Sequence, residues 1–151
     1  MDFQHISTVS NANSIQQQLL ACNAEAAAYG LCLSQTDAAM LAETEQTACH
    51  IQNRVLFGDS AAVQLAKTFC KSSYLAQEDY AESLAALLDV FYEAKEASCD
   101  LLSDSEVIAL MFAFFEHESG GSIQLLQERD METLCRQIRC RAMGLQEEDD
   151  G

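Results

Sequence analysis

Glu116-His117-Glu118 places two carboxylates and an imidazole in consecutive positions, metal-ligand side chains brought together in the sequence. Such oxygen and nitrogen donors suit a divalent cation. Consecutive residues on a helix point about 100° apart, however. The three converge only where the helix unwinds, so the plainer reading is a solvated helix end. The other histidines are His5 and His50. Neither completes an H-E-x-x-H pair, and no Glu-x-x-His of the di-metal carboxylate bundles occurs within the helical stretches. Cys49-His50 has the residue types of a nucleophile and its base, but neighbours on a helix diverge, and the pairing reads as accidental. Gly120-Gly121 before Ser122 offers free amides to an anion at a helix start. Without a surrounding G-x-x-x-x-G-K-[ST], it reads as a tight turn. No catalytic residue, cofactor site or calcium loop is assigned.

Seven cysteines are irregularly spaced, with no C-x-x-C. Zinc sites and disulfide frameworks leave tighter patterns. Most of these thiols fall on apolar helical stripes, where a reduced cysteine acts as a small hydrophobe.

Charge narrows the range of partners. The chain of 151 residues carries 24 acids against 8 bases, a formal net charge of −16. That balance opposes nucleic-acid binding, which needs cations to displace counterions from phosphate. It opposes an anionic membrane surface equally and leaves room for a basic partner. The start, Met1-Asp2-Phe3-Gln4-His5, has no basic segment followed by an apolar run, and the apolar stretch from Val107 to Phe115 is too short to span a bilayer. The sequence thus points to a soluble, cytoplasmic protein.

The elements that would position these residues are all helical. There is no proline and there are six glycines, against 49% apolar residues. Proline breaks the helical ladder and glycine commonly ends it, so the chain passes from helix to helix with short stops. Side-chain caps are expected at Asn13, Ser34 or Thr36, Asp59 or Ser60, Ser103, Ser122 and Asp130, and glycine stops at 30, 58, 120–121 and 144. On the second helix Ala39, Met40, Ala48, Ile51 and Val55 mark one apolar side, and Glu43 to Gln46 reads as facing water. The fourth helix, from about Gln77 to Cys99, has the clearest period: Tyr80, Leu84, Leu87, Leu88, Phe91 and Ala94 on one face, Glu82, Asp89, Glu93, Glu96 and Asp100 on the other. Ser103-Asp104-Ser105-Glu106 is a capping box, and the helix behind it is apolar nearly all round. The fold expected is all-α: a compact single-domain bundle of about five to seven helices over 13–144, flanked by a tail at 1–12 and an acidic tail at 145–151.

A resemblance rests on Tyr29-Gly30-Leu31, Phe57-Gly58, Phe69-Cys70 with Tyr74, Gln77 with Tyr80-Ala81-Glu82, Phe91-Tyr92 with Lys95, Ser103-Asp104 with Glu106, and Gly121-Ser122. On these residues the segment from Tyr29 to Leu134 resembles an uncharacterised family of small acidic bacterial proteins, a domain of unknown function. That family looks glycine-rich after the Phe-Gly pair, where this chain has Asp59-Ser60. The resemblance implies a bacterial cytosolic protein and supplies no activity, substrate or catalytic residue.

The function expected is protein–protein contact without catalysis, plausibly as a homodimer. The interface candidates are Phe112, Phe114 and Phe115 on the apolar helix, and Glu82, Asp89, Glu93 and Glu96 on the acidic one. Four of the eight bases are Arg129, Arg136, Arg139 and Arg141 near the C-terminus, which read as a complement to that acidic surface. Two alternatives stand beside this: a small helical enzyme or ligand-binding protein with a pocket between the fourth and fifth helices, and an acidic decoy for a basic surface.

Overall fold

A computed structural model of the chain describes residues 13–55 and 60–144. The structure is all-helical, and among the described residues there is no strand. Residues 13–21 are helical (α1). They are followed by α2 (Asn23–Ala26) with a 3-10 turn at Ala27–Tyr29, α3 (Gln35–Ile51) and α4 (Ala61–Phe69). A second 3-10 turn, Gln77–Asp79, leads into α5 (Tyr80–Ala97); α6 (Asp104–His117), α7 (Ile123–Leu125) and α8 (Met131–Ala142) complete the order. The chain divides into two compact units, Met1–Leu88 and Asp89–Gly151, with the boundary within α5. The expected tails, 1–12 and 145–151, lie outside the described residues, as do Phe57-Gly58 and Asp59.

Helix starts follow the side-chain caps. Ser34 opens α3 with a reciprocal box: the Asp37 N–H donates to Ser34 Oγ (3.0 Å) and the Ser34 N–H to Asp37 Oδ2 (3.3 Å). Ser103 and Glu106 repeat the device at α6, at 3.3 and 3.1 Å. The Ser103 N–H (3.1 Å) and the Ser103 hydroxyl (3.0 Å) both donate to Glu106 Oε1 and hold the Glu106 carboxyl below its ordinary range. Ser60 caps α4 and Ser122 caps α7 through the Val63 and Leu125 amides. Two expected caps are corrected. Asn13 is itself helical and is not a flanking cap residue. Asp130 lies inside a π-helical turn, Leu126–Asp130, that joins α7 to α8 without a stop. Ser122 therefore starts one helical run from 123 to 142, and the wider π turn absorbs a residue that would otherwise break the register.

Helix ends are less orthodox. Gly30, at φ 76°, closes the turn after α2: its N–H reaches the Ala27 carbonyl and the Leu31 N–H reaches the Ala26 carbonyl, the two bonds of a Schellman end. The same pair of bonds ends α3 with Asn53 in the left-handed position (φ 57°), several residues before the glycine stop expected at 58. It ends α5 with Cys99 (φ 59°), and Asp100 is left-handed as well (φ 57°). An L-residue with a Cβ is strained there. Cys99 is exposed and loses no packing on truncation. Cys99→Gly is therefore expected to stabilise the protein by about 1 kcal/mol, a rise in melting temperature of about 2–4 °C. An unchanged or lower melting temperature contradicts this account of the turn.

In the first unit an extended segment, 31–34, carries the chain from α2 to α3. Successive residues of an extended chain offer their N–H and C=O to opposite edges, and a side-chain amide answers each edge. Gln77 accepts from the Cys32 N–H (2.7 Å) and donates to the Cys32 carbonyl (3.0 Å). Asn23 does the same for Leu33, at 2.8 and 2.9 Å. Leu31 and Leu33 are thereby held inward, with Leu19, Leu41, Leu65, Phe69 and Leu87 among the buried side chains of this unit.

In the second unit α6 packs against α8 and against the π turn. Val107, Ile108, Leu110, Met111, Phe114 and Phe115 of α6 are buried, as are Leu126, Leu134, Cys135 and Ile138. The apolar outer strip of α6 consists of exposed Ala109 and Ala113 with half-exposed Phe112. The all-round apolarity of this helix thus comes partly from alanine, a helix former that need not be buried.

Candidate functional site

Buried charge is rare in protein interiors and costs several kcal/mol per ion unless answered. Among the described residues two charged side chains are buried, Glu45 and Lys95. Each secures a piece of backbone.

Glu45 sits on the inner face of α3, in phase with Ala38, Leu41, Ala42 and Cys49. Its carboxylate faces the first turn of α4. Ser60 Oγ and the Ala62 N–H (3.3 Å) donate to Oε1, and the Ala61 N–H donates to Oε2 (2.8 Å). The Ser60 hydroxyl also accepts from the Val63 N–H at 3.2 Å. The free amides of a helix start are thus satisfied by one carboxylate and one hydroxyl, and the negative charge lies where the helix dipole favours it. The expectation that Glu43 to Gln46 faces water is corrected at Glu45, which is completely buried. The expected apolar side of α3 is corrected with it, because Ile51 and Val55 are 73% and 72% exposed.

Lys95 turns inward from α5. Its ammonium lies 2.8 Å from Asp104 Oδ1, donates to the Leu102 carbonyl (3.1 Å) and stands 6.0 Å from the centre of the Phe91 ring. It ties the loop after Cys99 to the first turn of α6. The outer face of α5 is left to its acids: Glu82, Asp89, Glu93 and Glu96 are all exposed, as is Asp100 beyond the helix end. Partial desolvation nonetheless pushes the Asp89 carboxyl above its ordinary range.

The aromatic candidates divide. Phe114 and Phe115 are buried, 5% and 0% exposed, and do not reach the surface; Phe112 is half-exposed. Glu116, His117 and Glu118 lie at an intact helix end: α6 runs through His117, and Glu118 is its C-terminal cap. The unwinding that would gather them does not occur, and among the described residues no three His, Cys, Asp or Glu side chains are grouped to hold a metal ion. Arg129 donates to the Glu118 carbonyl and closes this end of α6. Cys49 is buried while His50 is exposed, so the two diverge.

All seven cysteines are free thiols. Burial pushes Cys22, Cys70 and Cys135 up, which keeps them protonated and poor nucleophiles. Cys22, Cys49, Cys70 and Cys135 are buried, in keeping with the reading of most thiols as core, while Cys32 and Cys99 are exposed. In the first unit Cys22 and Cys70 share the interior with Tyr80, whose hydroxyl is buried without a hydrogen-bond partner. Burial, then the neighbouring Cys70, Cys22 and Cys32, push the Tyr80 phenol well above its ordinary value. An orphaned buried hydroxyl costs stability and its removal returns it. Tyr80→Phe is therefore expected to raise stability by about 1 kcal/mol in chemical denaturation. A loss of more than that would show that the hydroxyl is hydrogen-bonded in solution.

The fold and these fastenings define a small all-helical protein whose buried charges serve its own helix ends. Residues 18–144 match the family of unknown function DUF6323, and the chain belongs to that family. No curated protein and no solved structure matches it. Among the described residues no helix is long and apolar enough to cross a membrane.

Proposed function

We propose that the protein is a non-enzymatic interaction module that presents the outer face of α5 to a partner protein with a basic surface. The observation that carries this reading is the division of charge on α5. Its acids Glu82, Asp89, Glu93 and Glu96 are exposed, while its lysine, Lys95, is buried against Asp104. A face of one sign raises the encounter rate with a partner of the other sign and rejects partners of its own. The non-enzymatic side of the reading is supported by Glu45 and Lys95, whose buried charges are committed to backbone groups.

Self-association is the other form of an interaction role, and it loses support here. Two of its three aromatic candidates, Phe114 and Phe115, are buried, which leaves Phe112.

The test compares the protein with a variant carrying Glu82→Gln, Asp89→Asn, Glu93→Gln and Glu96→Gln, each immobilised and exposed to native host lysate. The variant should keep its helicity, because exposed like charges three and four apart repel by a few tenths of a kcal/mol at about each pair. A partner held by the native face should bind the variant at least about tenfold more weakly. It should also be released as salt shortens the screening length from about 10 Å at ~0.1 M to about 3 Å at ~1 M. A partner retained equally by both proteins and at high salt overturns the proposal. Sedimentation at two widely separated concentrations decides self-association, which requires a species that grows with concentration.

A further inference from the structure

We draw no further inference here: the strongest candidate, the interior cluster of the first unit in which Cys22 and Cys70 neighbour the orphaned Tyr80 hydroxyl, carries nothing because nothing in the structure shows what these groups would hold.

Discussion

Glu45→Ala is expected to lower stability by about 3–5 kcal/mol, the range for breaking a buried, hydrogen-bonded charge arrangement from one side. The substitution leaves the Ser60 hydroxyl and the Ala61 and Ala62 amides without their acceptor, in a place water does not reach. Each orphaned donor costs about 1–3 kcal/mol, and these costs overlap because one relaxation of the α4 start relieves all of them. The vacated side chain adds a small cavity. Glu45→Gln separates charge from shape. Its amide oxygen still accepts, but its NH₂ group meets another donor, so a loss of about half the alanine value is expected. Urea denaturation of the three proteins checks the series. If Glu45→Ala costs under about 1 kcal/mol, the carboxylate does not hold α4.

This carboxylate also shows where reading the chain stops short. Ala38, Leu41, Ala42 and Cys49 keep helical spacing, and Glu45 falls in phase with them. A glutamate within that stripe makes the opposite side, through Met40, Ile51 and Val55, look apolar by comparison. Hydrophobicity counts a side chain's cost of burial, whereas the cost here is met by α4 amides that a local window does not contain. Ser60, one of the two residues legible as the cap, is one of the donors. The acceptor lies fifteen residues upstream and becomes legible when α3 and α4 are packed together.

The helix limits divide in a similar way. Starts were legible at Ser34, Ser103 and Ser122 because the cap and the amide it serves are three residues apart, within one turn. The end of α5 near Cys99 was legible in the period, but its left-handed turn, like the stop at Asn53, was not, because propensity assigns left-handed backbone to glycine first. Asn tolerates that conformation through its short polar side chain. Cys99 has no such excuse; Lys95, bound to Leu102 and Asp104, holds the chain just beyond it. The π turn hid the continuity of α7 and α8, since an inserted residue shifts the helical phase and makes Asp130 resemble a new beginning.

Several of the residues on which the family resemblance rests are the same fastenings. Gly30 ends the turn after α2, Gln77 holds Cys32, Lys95 holds Leu102, Ser103 and Glu106 form a box, and Ser122 caps α7. The resemblance thus rests in part on devices that specify where helices begin and end. The exposed acids of α5 are not among those devices, and of them Glu82 alone is in the matching set. A shared scaffold does not transmit a function that sits on its surface.

Phe115→Ala distinguishes a core role for α6 from an interface role. Phe115 is fully buried in the chain, and truncation removes its transfer free energy and leaves a cavity among tightly packed neighbours. A loss of about 3–5 kcal/mol is expected. For a protein of this length that corresponds to a melting temperature lower by about 10 °C. The shift should be the same at every protein concentration, because the lost contacts are within one molecule. A residue that joins two copies behaves otherwise: its truncation dissociates the dimer, and the melting temperature then depends on concentration. Phe112→Ala is the control on the same helix, half-exposed and expected to cost about 1 kcal/mol or less. If Phe115→Ala melts like the native chain while Phe112→Ala destabilises it in a concentration-dependent manner, α6 joins two copies through its outer strip. The acidic face of α5 then ceases to be the favoured contact surface.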